Sequence, residues 1–515
     1  MRRQNILLLA QARHDPIARC EVGRRYLLGI EGFAQHVPTG IEYLTHPSLN
    51  KVSEAATIIG ECLPLETIVT LRQEAALLRA ANAGSAEAQF KMAVWLCLRH
   101  GQPEAGARWL DAAAATGHDS ARRARAALGP SITEENLLEF ARVVSRVDGI
   151  HMEMIATLAA TSSAADRDLY RLAQTLRVAL AVAPRMSVPL ARLVVEAVRL
   201  AEETEKDQPG LDVRQVEAAL DLVAGDGDHA ADYLLGRALC GIACGSLKPA
   251  TLVSSSNLRK GAALLLRAAD AGRDEAWMHL YKVHADHRCS VANQPMARFF
   301  LEKAATLGNP EAQRRLGALV LRSASSLKDS ETGIHWLHEA AEQGDTFAMR
   351  LLNSLVLPLA GDDGEAERAI EALRRIDPWL AVRLRMSRDF GLTKLEALCA
   401  DPTEGRRPWG LVVGKNRFIA QSKLSAPRAV PAVSPAALDN LHRAALFFEE
   451  AQRDGSLFEG DWRRRSLHQR RVFARLHLDE DMFFAKVNST TLDALRQGTK
   501  WALRAKHSLQ SALSA

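Results

Sequence analysis

Three groups of side chains in this 515-residue sequence have the types and spacing to do chemistry. His279, His284, His287 and Cys289 fall within eleven residues, and imidazole and thiolate are the donors that zinc accepts. Short zinc spacings, however, come as Cys-x-x-Cys or His-x3–5-His with a matching pair elsewhere, and no second pair exists. His279 and His284 also point to different faces of a helix. They read as a solvated helix end and loop, and no metal is expected. Cys240 and Cys244, four residues apart, are expected to share a helix face as packed thiols, because no Cys-x-x-Cys accompanies them. The run Gly410-Leu411-Val412-Val413-Gly414-Lys415-Asn416 is one residue short of a phosphate loop and lacks the hydroxyl that would hold magnesium. No Gly-x-Ser-x-Gly signature and no acid/base pair occurs, and His335 and His338 beside Trp336 need no chemical role. The chain is therefore read as a non-enzyme with no catalytic, cofactor-binding or metal residue. The one place left for an unrecognised activity is 401–515, around Trp409, Lys415 and Arg417.

The third group is basic. Arg463, Arg464, Arg465, Arg470, Arg471 and Arg475 lie in one stretch with Trp462 and Phe473, which suits gripping phosphates and stacking on bases. A solvated helix face and an acidic protein partner compete with that reading, and Asp479-Glu480-Asp481 is close by in the chain. The whole-chain charge of +5 announces no polyanion. Its distribution is uneven: from Asp401 onward there are about 19 Lys/Arg against about 12 Asp/Glu, so the basic character belongs to this last part.

Elements must position these groups, and composition says they are helices. Aromatics make up 5% of the chain while Ala, Leu and Arg dominate, the usage of closely packed helices rather than of sandwiches or barrels. The length is too great for one ordinary core, so several domains or a one-dimensional array is expected. Seven cysteines without framework spacing (Cys20, Cys62, Cys97, Cys240, Cys244, Cys289 and Cys399) suit free thiols in a reducing compartment, hence a cytoplasmic expectation. Export is the alternative, because Arg2-Arg3 followed by Ile6-Leu7-Leu8-Leu9-Ala10-Gln11-Ala12 is similar to a short signal segment. No run approaches the roughly 18 apolar residues of a membrane span.

One phrase recurs. Leu77-Leu78-Arg79-Ala80-Ala81 before Gly84 returns around Trp109 before Gly117, at Leu265 before Gly272, at Phe300 before Gly308 and at Trp336 before Gly344. From Gly272 to Gly308 to Gly344 the step is 36 residues. An alanine follows each glycine four positions on, and another small residue follows at nine in Gly84…Ala93, Gly227…Gly236 and Gly308…Gly317, with His14…Gly23 as an eroded copy. The phrase means helix, stop, helix: large knobs beside paired alanines let helices approach closely, and a left-handed glycine ends one helix before a polar residue opens the next. Such a pair buries its apolar face only by stacking on its neighbours.

On these residues, and on Glu311-Ala312-Gln313…Leu316-Gly317 and Arg19…Gly23…Tyr26…Gly29, the chain resembles the Sel-one-like repeats, relatives of the tetratricopeptide repeats. The resemblance covers about 72–128 and 226–350, is weaker over 12–60 and absent from the last quarter. It implies an all-α solenoid of antiparallel helix pairs that holds protein partners on its surface and helps assemble or regulate complexes, frequently in bacteria. The expected organisation is 1–130 as helical repeats, 131–210 as diverged helical pairs after a capping box at Ser131-Ile132-Thr133-Glu134, and 211–400 as repeats with trailing helices. Residues 401–515 form a basic, mostly helical module. Within it, Pro408–Val413 and Arg417–Ala420 read as a β-hairpin and 424–435 as a Pro-rich linker. Nucleic acid bound through the Arg stretch is the alternative partner, and the sequence sets no oligomeric state.

Overall fold

The computed structural model describes residues 3–514 apart from 51, 100–102, 131–132, 149, 208–209, 415–425, 454–461 and 497. It is an all-α repeat architecture in which successive antiparallel helices are each other's main packing partners, with one small sheet late in the chain. The chain forms two compact units, Met1–Ala271 and Gly272–Ala515.

The recurring phrase is the connector between pairs. Gly84, Gly117, Gly227, Gly272, Gly308 and Gly344 all take φ between 89° and 95°, where a side chain is strained. Around Gly344, its own N–H donates to Ala341 O at 2.9 Å and the Asp345 N–H donates to Ala340 O at 3.0 Å, which satisfies the last carbonyls of the ending helix. Gly308 and Gly84 repeat the arrangement, with Asn309 N donating to Ala304 O and Ser85 N to Ala80 O. At five of these six connectors the residue after the glycine then caps the next helix; after Gly272 the N-cap is Asp274, without a side-chain hydrogen bond. Asn309 Oδ1 accepts from Ala312 N at 2.9 Å and Asp345 Oδ1 from Ala348 N at 2.9 Å. This explains the alanine four positions on: Ala88, Ala121, Ala231, Ala312 and Ala348 sit in capped first turns with their methyls fully buried. Seven residues before each of Gly84, Gly117, Gly272, Gly308 and Gly344 is a leucine, namely Leu77, Leu110, Leu265, Leu301 and Leu337, at most 1% exposed. Trp109 and Trp336, one residue earlier in their helices, are only half-buried.

The small residue at nine positions marks where two helices cross. Gly23 of Pro16–Leu28 meets Gly40 of Val37–Leu44, Gly236 of His229–Leu239 meets Gly261 of Leu258–Asp270, and Gly317 of Pro310–Arg322 meets Gly333 of Leu327–Glu342. A methyl on Gly317 would lie 2.7 Å from the carbonyl oxygen of Gly333, and one on Gly333 would lie 3.0 Å from that of Gly317. Backbones this close leave no room for Cβ.

In the second unit, residues 401–514 do not stand apart from the helices of 272–400. Strands β1 (Arg406–Arg407), β2 (Gly410–Val413) and β3 (Arg428–Pro431) form an antiparallel sheet in the order β1-β2-β3, with Leu411 opposite both Arg406 and Val430. The sheet bears out the β signal at 408–413 and corrects the linker expected after it. β2 pairs with Arg406–Arg407 on one side and Arg428–Pro431 on the other, while the expected second hairpin strand, 417–420, lies outside the described residues. Residues 428–431, expected in a linker, are a fully buried strand that packs on Leu327–Glu342 and Thr346–Leu355. Pro427 and Pro431 suggest chain without ladder bonds, but proline is accommodated at the ends of an edge strand. In the first unit, Thr133 caps Glu134–Val144 through Asn136 N, and Ser131 of the expected capping box lies outside the described residues.

Replacing Gly317 with Ala should cost about 1–3 kcal/mol by forcing two backbones apart. Gly308→Asn, at φ +89° with no atom near its added Cβ, should cost under about 1 kcal/mol. Urea unfolding midpoints of the two variants check the contrast, and equal losses would remove the close-crossing account.

Candidate interaction surface

The helices that follow Gly272, Gly308 and Gly344 are Glu275–Ala285, Pro310–Arg322 and Thr346–Leu355. Because alanine and leucine fill their inner faces, the long side chains are left for the rim. There they interlock from one repeat to the next. The Arg315 guanidinium lies 5.8 Å from the Tyr281 ring, and Glu311 joins both Arg315 at 2.9 Å and Lys282 at 3.1 Å. Arg314, almost fully buried, sits over the Phe347 ring at 5.1 Å and pairs with Asp345 at 3.2 Å; Arg350 covers the same ring at 5.5 Å. Phe347 and Met349 remain exposed beside them. The result is a ridge of cations and aromatic faces whose rotamers are already constrained, which lowers the entropy cost of binding a partner.

The first unit has an apolar groove of about 740 Å³ lined by Leu78, Met92, Trp95, Leu96 and Leu158 together with Arg72, Glu74 and Arg99. Its size matches sites that take a side chain or short peptide segment. Arg99 is tied to Asp166 at 2.9 Å. In the second unit a smaller cleft of about 200 Å³ is lined by Arg374, Arg385, Asn440 and Arg443. Behind Asn440, burial pushes the carboxyl of Asp389 up to about 6 against the opposing effect of the Asn440 amide, which donates to it at 3.0 Å.

The basic stretch is a helix, Trp462–Leu476. Gln469, Val472 and Phe473 form its buried face, so Arg463, Arg464, Arg470, Arg471 and Arg475 point outward. Arg465 is different: half-buried, it donates to Leu398 O at 2.9 Å and serves the fold. In the acidic run beyond the helix, Glu480 pairs with Lys394 and accepts from Gln469 Nε2 of the helix at 3.1 Å, and Asp481 pairs with Lys486.

The remaining candidates separate. His284 Nδ1 lies 2.9 Å from Leu280 O and its ring packs on Phe300, and no group of three or more metal-capable side chains occurs among the described residues. Cys240 and Cys244 do not share a helix: Gly241, at φ +74°, ends His229–Leu239 between them, and Cys244 bridges to Leu247. Burial drives the Cys97 thiol up to about 12 and the thiols of Cys20 and Cys244 to about 11, so these three stay protonated and unreactive near neutrality. His335 and His338 face Glu339 and Glu342 on their own helix. Trp409 is packed in the core, and Lys415 and Arg417 lie outside the described residues.

Sequence reasoning passes over the buried charges. Arg428, 1% exposed, forms two hydrogen bonds to Glu396 at 2.7 and 2.9 Å, and its guanidinium lies 4.9 Å from the Trp501 ring. Glu396 also completes a capping box with Thr393, and the Thr-x-x-Glu spacing is the signal that could have found it. Lys91, equally buried, donates to three carbonyls, those of Gly60, Glu61 and Leu63, and so closes the end of Ser53–Cys62.

Four segments, residues 86–118, 245–272, 290–309 and 310–345, match the Sel1 repeat model. The chain carries Sel1 repeats, and the ridge of the second unit lies in and beside the last two matches. Among solved structures, it is similar to a protective antigen present in uropathogenic Escherichia coli strains and displaying an SLR fold, at 16% identity over 86% of this chain and 94% of that one, with a TM-score of 0.28. A Sel1 repeat protein from Oxalobacter formigenes is 18% identical over 65% of this chain and 93% of that one, with a TM-score of 0.25. No curated protein matches the chain.

Burial works against ionisation of Glu396, but the Arg428 charge and the hydrogen bonds from Arg428 and Thr393 outweigh it and hold the carboxyl below its ordinary range. Its contribution is therefore complete above the unfolded value of about 4.3 and is lost as pH falls through the lower folded value. Glu396→Gln should destabilise the second unit by about 3 kcal/mol at pH 7, because Arg428 is left buried without its counter-charge, and should remove part of the acid sensitivity. Thermal midpoints from pH 3 to 7 test this; parallel curves for the two proteins would refute the linkage.

Proposed function

We propose that the chain is a protein-interaction scaffold, with the helices after Gly272, Gly308 and Gly344 presenting the principal contact surface and the assembly or regulation of a larger complex, in a bacterial cytoplasm, as its role. The observation that carries this reading is the constrained ridge of Tyr281, Arg315, Phe347 and Arg350, with Arg314 buried beneath Phe347. Arginine and large aromatics are the residue types that dominate binding energy at protein interfaces, and here they are held in place by one another across successive repeats. Partner choice then depends on rim residues that vary without disturbing the buried leucine and alanine positions.

A second reading, contact with nucleic acid, is supported by the outward arginines of Trp462–Leu476, although Arg470 also feels the Glu480 carboxylate, which is paired with Lys394. Arg463 carries its own aromatic neighbour, Trp462, at 5.7 Å.

The two readings give different results. Affinity capture followed by titration with the purified partner should show binding weakened at least about tenfold in Phe347→Ala/Arg350→Glu, consistent with loss of a hot-spot pair, with an unchanged thermal midpoint. Retention of full affinity would rule out this surface. For a labelled oligodeoxynucleotide, Arg463→Ala/Arg470→Ala/Arg471→Ala should reduce the slope of log K against log salt by about 2–3, close to one for each phosphate that an arginine neutralises. An unchanged slope would dispose of the nucleic-acid reading.

A further inference from the structure

The last described helix, Lys506–Ser514, does not continue the stack of pairs. It lies across Pro310–Arg322 and Thr346–Leu355, the equivalent helices of two successive repeats and the same two that carry most of the ridge. The 3-10 segment before it, Gly498–Ala505, is firmly anchored. Trp501 is buried, donates Nε1 to Leu355 O at 3.2 Å, and is flanked by the guanidiniums of Arg428 at 4.9 Å and Arg504 at 4.3 Å.

The helix itself is held by apolar packing on Pro310–Arg322 and Thr346–Leu355, with Leu513 partly buried beside them. Leu509 and Ala512 are its buried residues, joining a cluster with Ala318, Leu321, Leu351 and Leu355. Its own side-chain hydrogen bonds, from Ser514 to Gln510 O and Ser511 O, are internal. Nine residues are fewer than the roughly 12–15 at which an isolated helix becomes marginally stable, so its seat keeps it helical. The electrostatic match is also poor. On the two supporting helices Arg314 and Arg315 are paired with Asp345 and Glu311, whereas Arg322 and Arg350 form no ion pair with a described residue. The occupying helix brings Lys506 and His507 and no acid. A helix therefore fits the seat in shape, and it brings no acid to the two helices that carry Arg322 and Arg350.

We propose that Lys506–Ser514 is a displaceable strap over a helix-accepting groove on Pro310–Arg322 and Thr346–Leu355, and that the groove's exchange partner is an amphipathic helix of another protein with Leu and Ala three residues apart and Asp or Glu on its flanks. The proposal rests on the protein-interaction reading and adds to it the partner's chemistry and its control. Tethering gives the strap an effective concentration in the millimolar range, so it competes with any incoming helix until that helix supplies the acidic flanks that the strap lacks.

The test uses two labelled synthetic helices that share the Leu509/Ala512 face, one with glutamates and one with lysines at the other positions. They are titrated into the intact chain, into Leu509→Glu/Ala512→Glu, and into a chain ending after Ala505. The glutamate helix should bind both strap-released proteins at least about tenfold more tightly than the intact chain, in line with removal of a tethered competitor, and the lysine helix should bind at least about tenfold more weakly than the glutamate one. Should neither variant fold, hydrogen exchange on the intact chain decides: the amides of 506–514 should exchange faster as the glutamate helix is added. Equal binding to intact and released chains, equal binding of the two helices, or exchange indifferent to the peptide overturns the strap. Dimerisation of the released variants in light scattering also overturns it, since the occupant would then be a second copy. If the captured partner still depends on Phe347 and Arg350 while the peptide tests fail, the scaffold reading stands and only the strap falls.

Discussion

Close approach of two helix backbones is the constraint from which the rest of this architecture follows. At Gly317 and Gly333, and at the Gly23/Gly40 and Gly236/Gly261 crossings, the space for a side chain is taken by the opposite carbonyl. Helices that near cannot place large residues at the crossing, so glycine and alanine fill it and a few large residues on either side, such as Phe300 and Leu301 or Ile334 and Leu337, supply the bulk. Each repeat consequently buries modest apolar surface of its own and depends on its neighbours, the general condition of stacked repeats. The left-handed glycines are the second half of the same constraint. A connector of one glycine and one capping residue is short enough to hold consecutive helices in register, and it leaves few backbone groups unsatisfied.

Small residues inside force the charged and aromatic ones outside, and the structure divides them into two uses. One set is consumed by the fold. Lys91 closes a helix end through three carbonyls, Arg383 donates to the Ala397 and Ala400 carbonyls, and Arg428 bridges Glu396 and Trp501. These groups stand where an irregular helix end enters the interior and its carbonyls would otherwise lack donors. The other set, including Arg315, Phe347, Arg350 and the outward arginines of Trp462–Leu476, satisfies no such need. Its members lie at the surface, where Arg350 covers the Phe347 ring and Arg315 pairs with Glu311.

The repeat rules are legible in the sequence, and the buried charges are not. Glycine at a constant step, alanine at four and a small residue at nine are positions where only backbone sterics matter, so one residue type survives and the eye can find it. The Thr393-x-x-Glu396 box is equally local. What escapes are pairings decided by long-range packing: Arg428 lies 32 residues from Glu396 and 73 from Trp501, and no spacing rule links them. The prolines at 427 and 431 suggest an open linker because proline breaks ladders, yet β3 has one paired edge and needs few donors. Four-residue spacing predicts one helix for Cys240 and Cys244, but Gly241 in the left-handed region stops that helix between them.

The Arg residues of the basic stretch show how far composition alone can mislead about function. Six arginines in fourteen residues look like one electrostatic device, but the helix period splits them: Arg465 turns inward to Leu398 O while five face out. A surface charge acts on a partner only through the groups that remain solvated, and the inward arginine instead fixes the orientation of the helix that carries them. Position on the helix, rather than the number of arginines, therefore sets the field that an approaching anion meets. On the repeat ridge, likewise, Arg314 is spent on Asp345 beneath Phe347, while Arg350 covers the same ring and forms no ion pair with a described residue.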